Sequence, residues 1–446
     1  MSPSPFVMLS IPGLRRSDLP NMPQLRAVLG DAPALAQCLG SFPCVTWPAQ
    51  ATVLTGTLPN QHGVIANGFF WRDRAQVEMW TASNQVIQRP QIWDLLKQRH
   101  PECRTLAWFP MLSKESGADI VCMPAPIHNP DGSESLWCYT KPRELYGELL
   151  NEFGHFPLQH FWGPLAGIQS SQWIARSLVF AANKFRPDFM YVYLPHLDYA
   201  GQKFGPFSPQ AQQSVSDLDT VIGELAARLH ACYGGSSLKW LVVSEYVISP
   251  VEHVTFPNRV LREAGLLSVR DDAEGECIDF AASAAWALVD HQFSHVFVRD
   301  HRPDVIENVG RLFGRCEGIR EVVGPEYLGQ WGMDHERSGD VMLISRPGSW
   351  QAYYWWMDDA RAPAFARTVD IHRKPGYDPV ELFFDPTTRS IPLDASLVRG
   401  SHGLPEVRGS GEAIVAGAGF SHPWPQCVLD TEICERVLRE FDKRID

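Results

Sequence analysis

Residues 42–63 read FPCVTWPAQATVLTGTLPNQHG, and this stretch carries the most information about the fold. It predicts a loop that ends at Thr46, followed by a helix with Pro48 in its first turn, where proline is favoured. A hydroxyl group at that junction meets the positive end of the helix dipole, so it suits a nucleophile that attacks a phosphate or sulfate ester. The alternative is that Thr46 only caps the helix, as threonine often does. The stretch by itself leaves both interpretations open.

The rest of the chain alternates buried runs with amphipathic stretches, which predicts a layered α/β fold with a mostly parallel central sheet. Strands are predicted at residues 6–11, 105–109, 189–194, 240–244, 295–298, 341–345 and 413–416, and helices at 91–98, 172–185, 209–231, 258–264, 304–313 and 431–443. The whole chain, 1–446, is interpreted as one domain. Residues 67–89, which include Trp71 and Trp80, are irregular and rich in aromatic residues, so a covering loop is predicted there. Loops of this length are often functional. Residues from about 290 to 346 predict a small inserted α+β subdomain.

Composition argues against several classes of partner. The chain of 446 residues carries 39 Lys and Arg against 51 Asp and Glu, a formal net charge of −12. Nucleic-acid polymers and anionic membranes both need clustered basic residues, so neither is expected as a main partner. No run reaches the roughly 18 apolar residues of a membrane span. The first residues are interpreted as a strand rather than a secretory signal, and the protein is expected in the cytoplasm.

The ten cysteines show no CxxC pair and no zinc-ribbon spacing. An even number of cysteines allows a set of disulfides, but a chain of this length can bury a core without them. We interpret them as reduced thiols, which agrees with a cytoplasmic protein.

The stretch around Thr46 resembles the nucleophile region of the nucleotide pyrophosphatase/phosphodiesterase family, within the alkaline phosphatase superfamily. The matching residues are Phe42–Pro43, Thr46, Trp47–Pro48, Thr52, Thr55–Gly56, Pro59 and His62–Gly63. The resemblance implies an alkaline-phosphatase-like α/β/α fold in which Thr46 forms a covalent phospho-enzyme between two metal ions. Ala49–Gln50 stands where the family has Asn–His, and that Asn helps to hold the phosphate. Substrate binding is therefore expected to differ, with Gln50 as a candidate substrate-binding residue.

The same resemblance implies six further metal ligands of carboxylate and imidazole type, which a two-zinc site needs. Asp198 and His402 match this pattern, and Glu245 keeps a carboxylate with one extra methylene. Pro12, Gln202 and Tyr246 replace an Asp and two His, so they depart from it. Zinc, as one or two ions, is the expected cofactor, and Gln202 and Tyr246 become candidate substrate-binding residues. His196 is either a substitute ligand or a structural hydrogen-bonding residue.

A second polar cluster lies in the run ARTVDIHRKPGYDP at residues 366–379. Asp370 and His372 are predicted to supplement the metal site, and Lys374 to contact an anionic substrate together with Arg373. The alternative is a solvated loop with a Pro-Gly turn and internal salt bridges. The pairs Asp290–His291, with His295, and Asp334–His335 add possible ligands, with a structural role as the alternative. The runs SEY, PHLDY and DIHRKPGYDP also resemble a bacterial branch described as "alkaline phosphatase family protein".

These observations lead to one main hypothesis and two rivals. The main hypothesis is a metal-dependent phosphoric-ester or phosphodiester hydrolase that acts on a small-molecule phosphate ester with Thr46 as nucleophile. The first rival is a non-catalytic or metal-free binding protein that keeps the fold, which Pro12, Gln202 and Tyr246 favour. The second rival is a phosphoryl-transfer step in a biosynthetic pathway, which shares the phospho-threonine stage.

Overall fold

The computed structural model describes residues 4–31, 33–128, 134–235, 237–406, 409, 411–420 and 424–443. Its α-helices are α1 Pro23–Leu29, α2 Thr46–Thr55, α3 Pro59–His62, α4 Ile92–Arg99, α5 Leu145–Phe153, α6 Ile168–Phe185, α7 His196–Phe204, α8 Pro209–Cys232, α9 Pro257–Glu263, α10 Pro303–Phe313 and α11 Ile433–Asp442. Several of them start at proline, which is already fixed in a helical φ and needs no amide partner there.

A central sheet organises the larger part of the chain. From one edge to the other its strands are Cys427–Leu429, Ala34–Leu39, Ile414–Ala418, Lys239–Val243, Phe6–Ser10, Phe189–Tyr193, Thr105–Trp108, Ile120–Pro124 and Cys138–Lys141. The five strands from Lys239–Val243 to Ile120–Pro124 pair in parallel, whereas Ile414–Ala418 and Cys138–Lys141 pair antiparallel to their neighbours. These five strands are mainly apolar and almost entirely buried, as parallel strands covered on both faces require. The predicted α/β class with a mostly parallel central sheet is confirmed.

Helices cover both faces of this sheet. Phe441 of α11 packs on Phe6 and Phe189, with ring centroids 6.0 and 6.3 Å apart. On the neighbouring strand the Trp108 indole donates to Ser177 of α6 over 3.0 Å. Trp108 pairs in register with Val192, three residues after Phe189. Because successive side chains of a strand point to opposite faces, α11 and α6 lie on opposite faces of the sheet.

A smaller sheet lies beside the central one. Its strands, in spatial order, are Ala285–Asp290, Phe293–Val298, Val341–Ser345 and Ile319–Val323, all antiparallel. This region contains the range where the inserted subdomain was predicted, and α10 packs against two of its strands. The apolar run of residues 352–356 is buried in the core of this region.

The remaining strands form two-stranded pairs. These pairs are Gly68–Trp71 with Gln76–Met79, Ile127–His128 with Glu134–Ser135, Ser249–Pro250 with Gly400–Ser401, His253–Thr255 with Ser349–Gln351, and Val269–Asp272 with Gly275–Ile278. The first pair lies in the segment 67–89, which was predicted as a covering loop. That segment is therefore a β-hairpin over part of its length, followed by a short 3-10 turn at Asn84–Val86.

Candidate active site

Four chain segments meet at one edge of the central sheet. The parallel strands Phe6–Ser10, Phe189–Tyr193 and Lys239–Val243 all end at this edge, and α7 and the Glu245–Tyr246 pair follow the last two. The antiparallel strand Ile414–Ala418 begins there, so His402, which precedes it, reaches the same edge. The carboxyl ends of parallel strands are the usual place for a binding site in such folds, because the loops there converge.

Thr46 is the first residue of α2, and it is buried, with 7% of its surface exposed. Its Oγ1 lies 3.1 Å from the Tyr246 hydroxyl, which lies 3.3 Å from Asp198 Oδ1. A carboxylate oxygen only accepts, so the Tyr246 hydroxyl donates to Asp198 and accepts from the Thr46 hydroxyl. The three residues thus form a directed chain that leaves the lone pairs of Thr46 free.

Asp198 is also held on its other side. Gln202, one turn later on α7, donates its Nε2 to Asp198 Oδ2 over 2.8 Å. The Gln202 Oε1 in turn accepts from the Tyr377 hydroxyl over 2.6 Å. Both ends of the Gln202 amide are therefore occupied, and the predicted residues Gln202 and Tyr246 lie on either side of the same carboxyl group.

Glu245 is bound by residues from two other segments. Its Oε1 accepts from the Ser10 hydroxyl over 2.5 Å and from Gln50 Nε2 over 2.9 Å. Gln50 lies one turn after Thr46 on α2, and its Oε1 accepts from the Met111 amide over 2.8 Å. Gln50 thus links Glu245 to the loop that follows strand Thr105–Trp108.

His402 is fixed in one tautomer. Its Nδ1 lies 2.7 Å from the Cys44 carbonyl oxygen, so Nδ1 carries the proton and Nε2 holds a lone pair. That Nε2 is buried without a hydrogen-bond partner, 3.8 Å from Asp198 Oδ1. The ring stacks on Tyr246 with centroids 3.7 Å apart and an interplanar angle of 5°.

The hairpin of the small sheet completes this arrangement with Asp290 and His291. His291 has a left-handed φ of 57°, a conformation that costs energy and is enriched at functional sites. Its ring lies 3.8 Å from that of His402 and stacks on Tyr377 at 3.5 Å, by centroids. Its Nδ1 is 2.5 Å from Asp290 Oδ1, and Asp290 accepts from the Asn67 amide and side chain. Asn67 also accepts from the Trp47 amide, which ties the hairpin to the start of α2.

Burial sets the charge of these groups. It raises the pKa of Asp198 to about 7, although hydrogen bonds from Gln202 and Tyr246 oppose the shift. Burial likewise raises the pKa of Glu245 to about 8, against hydrogen bonds from Ser10 and Gln50. It lowers the pKa of His402 well below its ordinary value. At neutral pH the imidazole is therefore neutral, and the carboxyl groups carry less than their full negative charge.

The predicted residues of the second cluster lie in other surroundings. Lys374 is buried and forms ion pairs with Asp378 and Glu381, at 2.8 and 2.6 Å. The Asp370 amide donates to Glu381, and the exposed His372 places Nδ1 3.2 Å from the Met79 carbonyl oxygen. Internal ion pairs, the alternative considered for this run, account for Lys374.

Two of the other candidate histidines, His295 and His335, have hydrogen-bond partners of their own, whereas His196 has none among the described residues. His295 lies between the Ile65 carbonyl and the Gly339 amide, and His335 lies 2.9 Å from Gln88 Oε1. Asp334 accepts from Asn60. His196, the first residue of α7, has both ring nitrogens buried without a hydrogen bond and lies 3.9 Å from Asp217.

The described residues do not fit the two-metal site that the resemblance implies. In this part of the chain no three His, Cys, Asp or Glu side chains are grouped so that they could hold one metal ion. Asp198 and His402 offer two adjacent ligand atoms, but a catalytic zinc uses three protein ligands. The set Asp198, Glu245, His402, His372 and Asp370 is therefore not assembled into a metal centre.

Aromatic side chains border the cluster. Trp47 follows Thr46 and packs on Trp80 with ring centroids 5.7 Å apart, and Trp80 lies 6.1 Å from Tyr377. Trp80 has a left-handed φ of 56° at the end of the hairpin Gly68–Met79. An apolar wall thus lies next to the polar chain that starts at Thr46.

Sequence reasoning missed three members of this cluster. The sequence predicts a buried strand at Ser10 and a covering loop at Asn67, and it places Tyr377 in a charged run, without indicating a role in the site for any of them. A signal was present for Ser10, because it is the last residue of the first strand and so lies at the sheet edge where sites form.

Comparison with known proteins agrees with this architecture. The family model described as type I phosphodiesterase / nucleotide pyrophosphatase matches residues 6–378. An uncharacterized pyrophosphatase/phosphodiesterase of Schizosaccharomyces pombe is 24% identical over 270 residues, which are 58% of this chain and 47% of that protein. The chain thus spans about half the length of this relative.

Two solved structures share the fold. Murine ectonucleotide pyrophosphatase/phosphodiesterase 5 aligns with a TM-score of 0.62 and 13% identity, over 98% of this chain and 95% of that one. The phosphonoacetate hydrolase of Sinorhizobium meliloti 1021, in complex with phosphonoformate, aligns with a TM-score of 0.61 and 15% identity, over 98% and 96%. An inactive form of the murine protein has been solved in complex with AMP, with a TM-score of 0.62 and 12% identity, over 98% and 95%.

Two further features bear on the cellular setting. No helix among the described residues is both long enough and apolar enough to span a membrane. All ten cysteines fall within the described ranges, and none of them forms a disulfide bond there.

Proposed function

Because the chain belongs to the type I phosphodiesterase / nucleotide pyrophosphatase family, we propose that it is a phosphoric-ester or phosphodiester hydrolase with Thr46 as its nucleophile. The observation that carries the proposal is the directed chain from the Thr46 hydroxyl through Tyr246 to Asp198. A weak nucleophile such as threonine needs a neighbouring group that accepts its proton.

The proposed reaction has two halves. First Thr46 Oγ1 forms a bond to phosphorus, the bond from phosphorus to the leaving oxygen breaks, and the Thr46 proton moves towards Tyr246 while the Tyr246 proton moves to Asp198. The leaving alkoxide takes a proton from water. In the second half the oxygen of a water molecule forms a bond to phosphorus, the bond from phosphorus to Thr46 Oγ1 breaks, and the Thr46 oxygen regains the proton of Asp198 through Tyr246. The proton that the attacking water loses neutralises the hydroxide made in the first half, and phosphate or a phosphate monoester diffuses away. Each half conserves protons and needs no group beyond these residues and water.

The charge of the site supports an anionic substrate. Burial keeps Asp198 and Glu245 partly protonated at neutral pH, since it raises their pKa values to about 7 and about 8. A phosphate ester therefore meets less repulsion than two full carboxylates would exert. The amino-terminal end of α2, at Thr46, adds a favourable dipole worth about 0.3–1 kcal/mol.

The aromatic wall indicates the substrate class. Trp80 packs on both Trp47 and Tyr377, and these three rings form an apolar wall beside the chain that starts at Thr46. We propose a small-molecule ester whose organic group has a ring or a similar apolar body. AMP, bound by an inactive form of the murine relative, is of this size and kind.

Zinc, the cofactor predicted from the sequence, has no assembled three-ligand site among the described residues. The described residues supply two adjacent ligand atoms, from Asp198 and His402, and no group of three. The proposed reaction uses no metal ion.

The experiment is detection of the phospho-threonine. The protein is incubated with aryl phosphates, bis-aryl phosphates and nucleotide esters, quenched in acid, digested, and searched by mass spectrometry for a phosphoryl group on Thr46. Thr46→Ala removes the acceptor, and Thr220→Ala, an exposed threonine on α8, is the matched control. Absence of both turnover and modification across the panel, with folded protein, would favour the non-catalytic rival. Phosphoryl groups recovered on an added alcohol rather than as phosphate would favour transfer.

A further inference from the structure

We infer that a network of hydrogen bonds replaces divalent metal ions at this site, and that the change Gln202→His would restore a metal centre. The network consists of Tyr246, Asp198, Gln202 and Tyr377 on one side and of Ser10, Glu245 and Gln50 on the other. The inference deepens the proposed function, on which it rests only for the role of Thr46.

Gln202 is oriented so that it cannot bind a metal. Its amide oxygen, the only metal-ligating atom it has, accepts from the Tyr377 hydroxyl over 2.6 Å. Its NH₂ group faces Asp198 and donates to Oδ2 over 2.8 Å. A donor hydrogen thus points at the carboxylate, whereas a metal ligand would present a lone pair.

Tyr246 occupies the space between the nucleophile and the carboxylate. Its hydroxyl lies 3.1 Å from Thr46 Oγ1 and 3.3 Å from Asp198 Oδ1. A phenol is neutral at physiological pH, because its ordinary pKa is about 10. By donating to Asp198, a neutral phenol stabilises the negative charge of the carboxylate, as a bound cation would, without adding a full positive charge.

Glu245 is used in the same way. Ser10 and Gln50 both donate to its Oε1. Donors from the end of the first strand and from α2 therefore converge on one oxygen, and they hold Glu245 as part of the scaffold of α2.

Asp198 and His402 are two residues of the expected metal-ligand set that lie next to each other. The unpartnered Nε2 lone pair of His402 lies 3.8 Å from Asp198 Oδ1, and the side chain of Gln202 contacts the same carboxyl group. An imidazole at position 202 would bring a third ligand to these two. Three protein ligands and an open position are the usual composition of a catalytic zinc site.

The test measures zinc binding directly. Wild-type protein, Gln202→His and the control Gln212→His, an exposed glutamine on α8, are purified without chelators. Each is assayed for bound metals by mass spectrometry and titrated with zinc by calorimetry. Cobalt(II) replaces zinc in a parallel titration, because its visible bands report a tetrahedral site. Phospho-threonine formation is measured with and without a chelator, and circular dichroism confirms folding.

We expect substoichiometric metal in the wild type and in Gln212→His, and no effect of the chelator on Thr46. Loss of a residue outside the ligand shell already weakens metal sites by about 10- to 100-fold. Gaining a ligand should therefore strengthen zinc binding by at least about 100-fold in Gln202→His, with one ion per chain and tetrahedral cobalt bands.

Two results would overturn the inference. One is a near-stoichiometric, tightly held metal in the wild type, and the other is a folded Gln202→His variant whose zinc affinity equals that of Gln212→His. Absence of phospho-threonine together with absence of metal would instead refute the proposed function and leave this inference standing.

Discussion

Two buried polar clusters in this protein differ in how their charges are matched. At Lys374 an ammonium group pairs with Asp378 and Glu381, and all three side chains are almost fully buried. At Thr46 the carboxyl groups of Asp198 and Glu245 have no Lys or Arg partner among the described residues. We call the first cluster complete, because a buried cation faces its carboxyl groups, and the second incomplete, because only neutral donors hold its carboxyl groups.

Their pKa values express this difference. Burial by itself would lower the pKa of Lys374, but Asp378 and Glu381 overcome it and raise that pKa. At the other cluster no cation opposes burial, so the pKa of Asp198 rises to about 7. A complete cluster stabilises the fold and has no free group for a ligand. An incomplete one, with an unpartnered imidazole nitrogen at His402, is suited to binding and chemistry.

The largest expected effect is on turnover at the incomplete cluster. Thr46→Ala should lower kcat by at least about 10⁴-fold, because removal of a nucleophile typically costs that much or more. The free energy of unfolding should change by less than about 1 kcal/mol, since the hydroxyl makes one hydrogen bond to Tyr246. Steady-state kinetics and urea unfolding measure the two quantities. Thr46→Ser is the control, because it keeps a hydroxyl group. Retained turnover in Thr46→Ala would assign the nucleophile elsewhere.

A substitution in the complete cluster should change the free energy of unfolding rather than turnover. Lys374→Met leaves Asp378 and Glu381 buried without a cation, which should lower the free energy of unfolding by about 3–5 kcal/mol. Lys97→Met is the control, since the ion pair of Lys97 with Asp119 is largely exposed and worth less than about 1 kcal/mol. Urea midpoints give both values. Loss of substrate affinity in Lys374→Met with unchanged stability would instead place Lys374 in the binding site.

A smaller change in rate is expected at Tyr246. Tyr246→Phe keeps the stack on His402 but removes the hydroxyl that bridges Thr46 and Asp198. We expect kcat to fall by about 100-fold, the lower end for loss of a proton-transfer group, with KM almost unchanged. Tyr327→Phe, at an exposed tyrosine, is the control. A wild-type rate would show that the phenol is only a packing residue.

The smallest expected effect concerns the histidine that supports α2. His62 lies 3.1 Å from Thr52 Oγ1, and burial lowers its pKa to about 3. Because the unfolded chain binds a proton near pH 6.5 and the folded one does not, stability should fall as the pH decreases below about 6.5. The loss between pH 6.5 and 5 should be about 1.5 kcal/mol.

His62→Gln isolates this contribution, since glutamine does not titrate. As the pH decreases from 7 to 5, the unfolding free energy of the wild type should fall relative to that of the variant. Parallel curves for the two proteins would mean that His62 takes up its proton at the same pH in the folded and in the unfolded protein.

Much of the fold could be predicted from the sequence. Apolar runs such as Phe6–Ser10 and Lys239–Val243 are self-evident buried strands, and their order with the helices indicates a parallel sheet. That Thr46, Asp198, Glu245 and His402 lie near one another was implied by the family resemblance of the motifs around them. Their roles as nucleophile or ligands remain predictions, because contacts between side chains do not by themselves establish chemistry.

Other contacts lay beyond sequence reasoning. The bond between Tyr377 and Gln202 joins residues 175 positions apart, and its existence depends on how the two sheets pack. The stack of His291 on Tyr377 depends on a tight hairpin with a left-handed residue. No local pattern encodes either contact, since each arises from the relative placement of separate strands.

The sequence alone determined the class of fold, because buried strands and amphipathic helices leave periodic, local signals. It also determined that three expected ligand positions hold Pro12, Gln202 and Tyr246. Only the tertiary structure decided what those substitutions do. It placed the Tyr246 hydroxyl between Thr46 and Asp198 and turned the Gln202 oxygen towards Tyr377. The direction of a hydrogen bond depends on side chains from distant segments, and only their packing together fixes it.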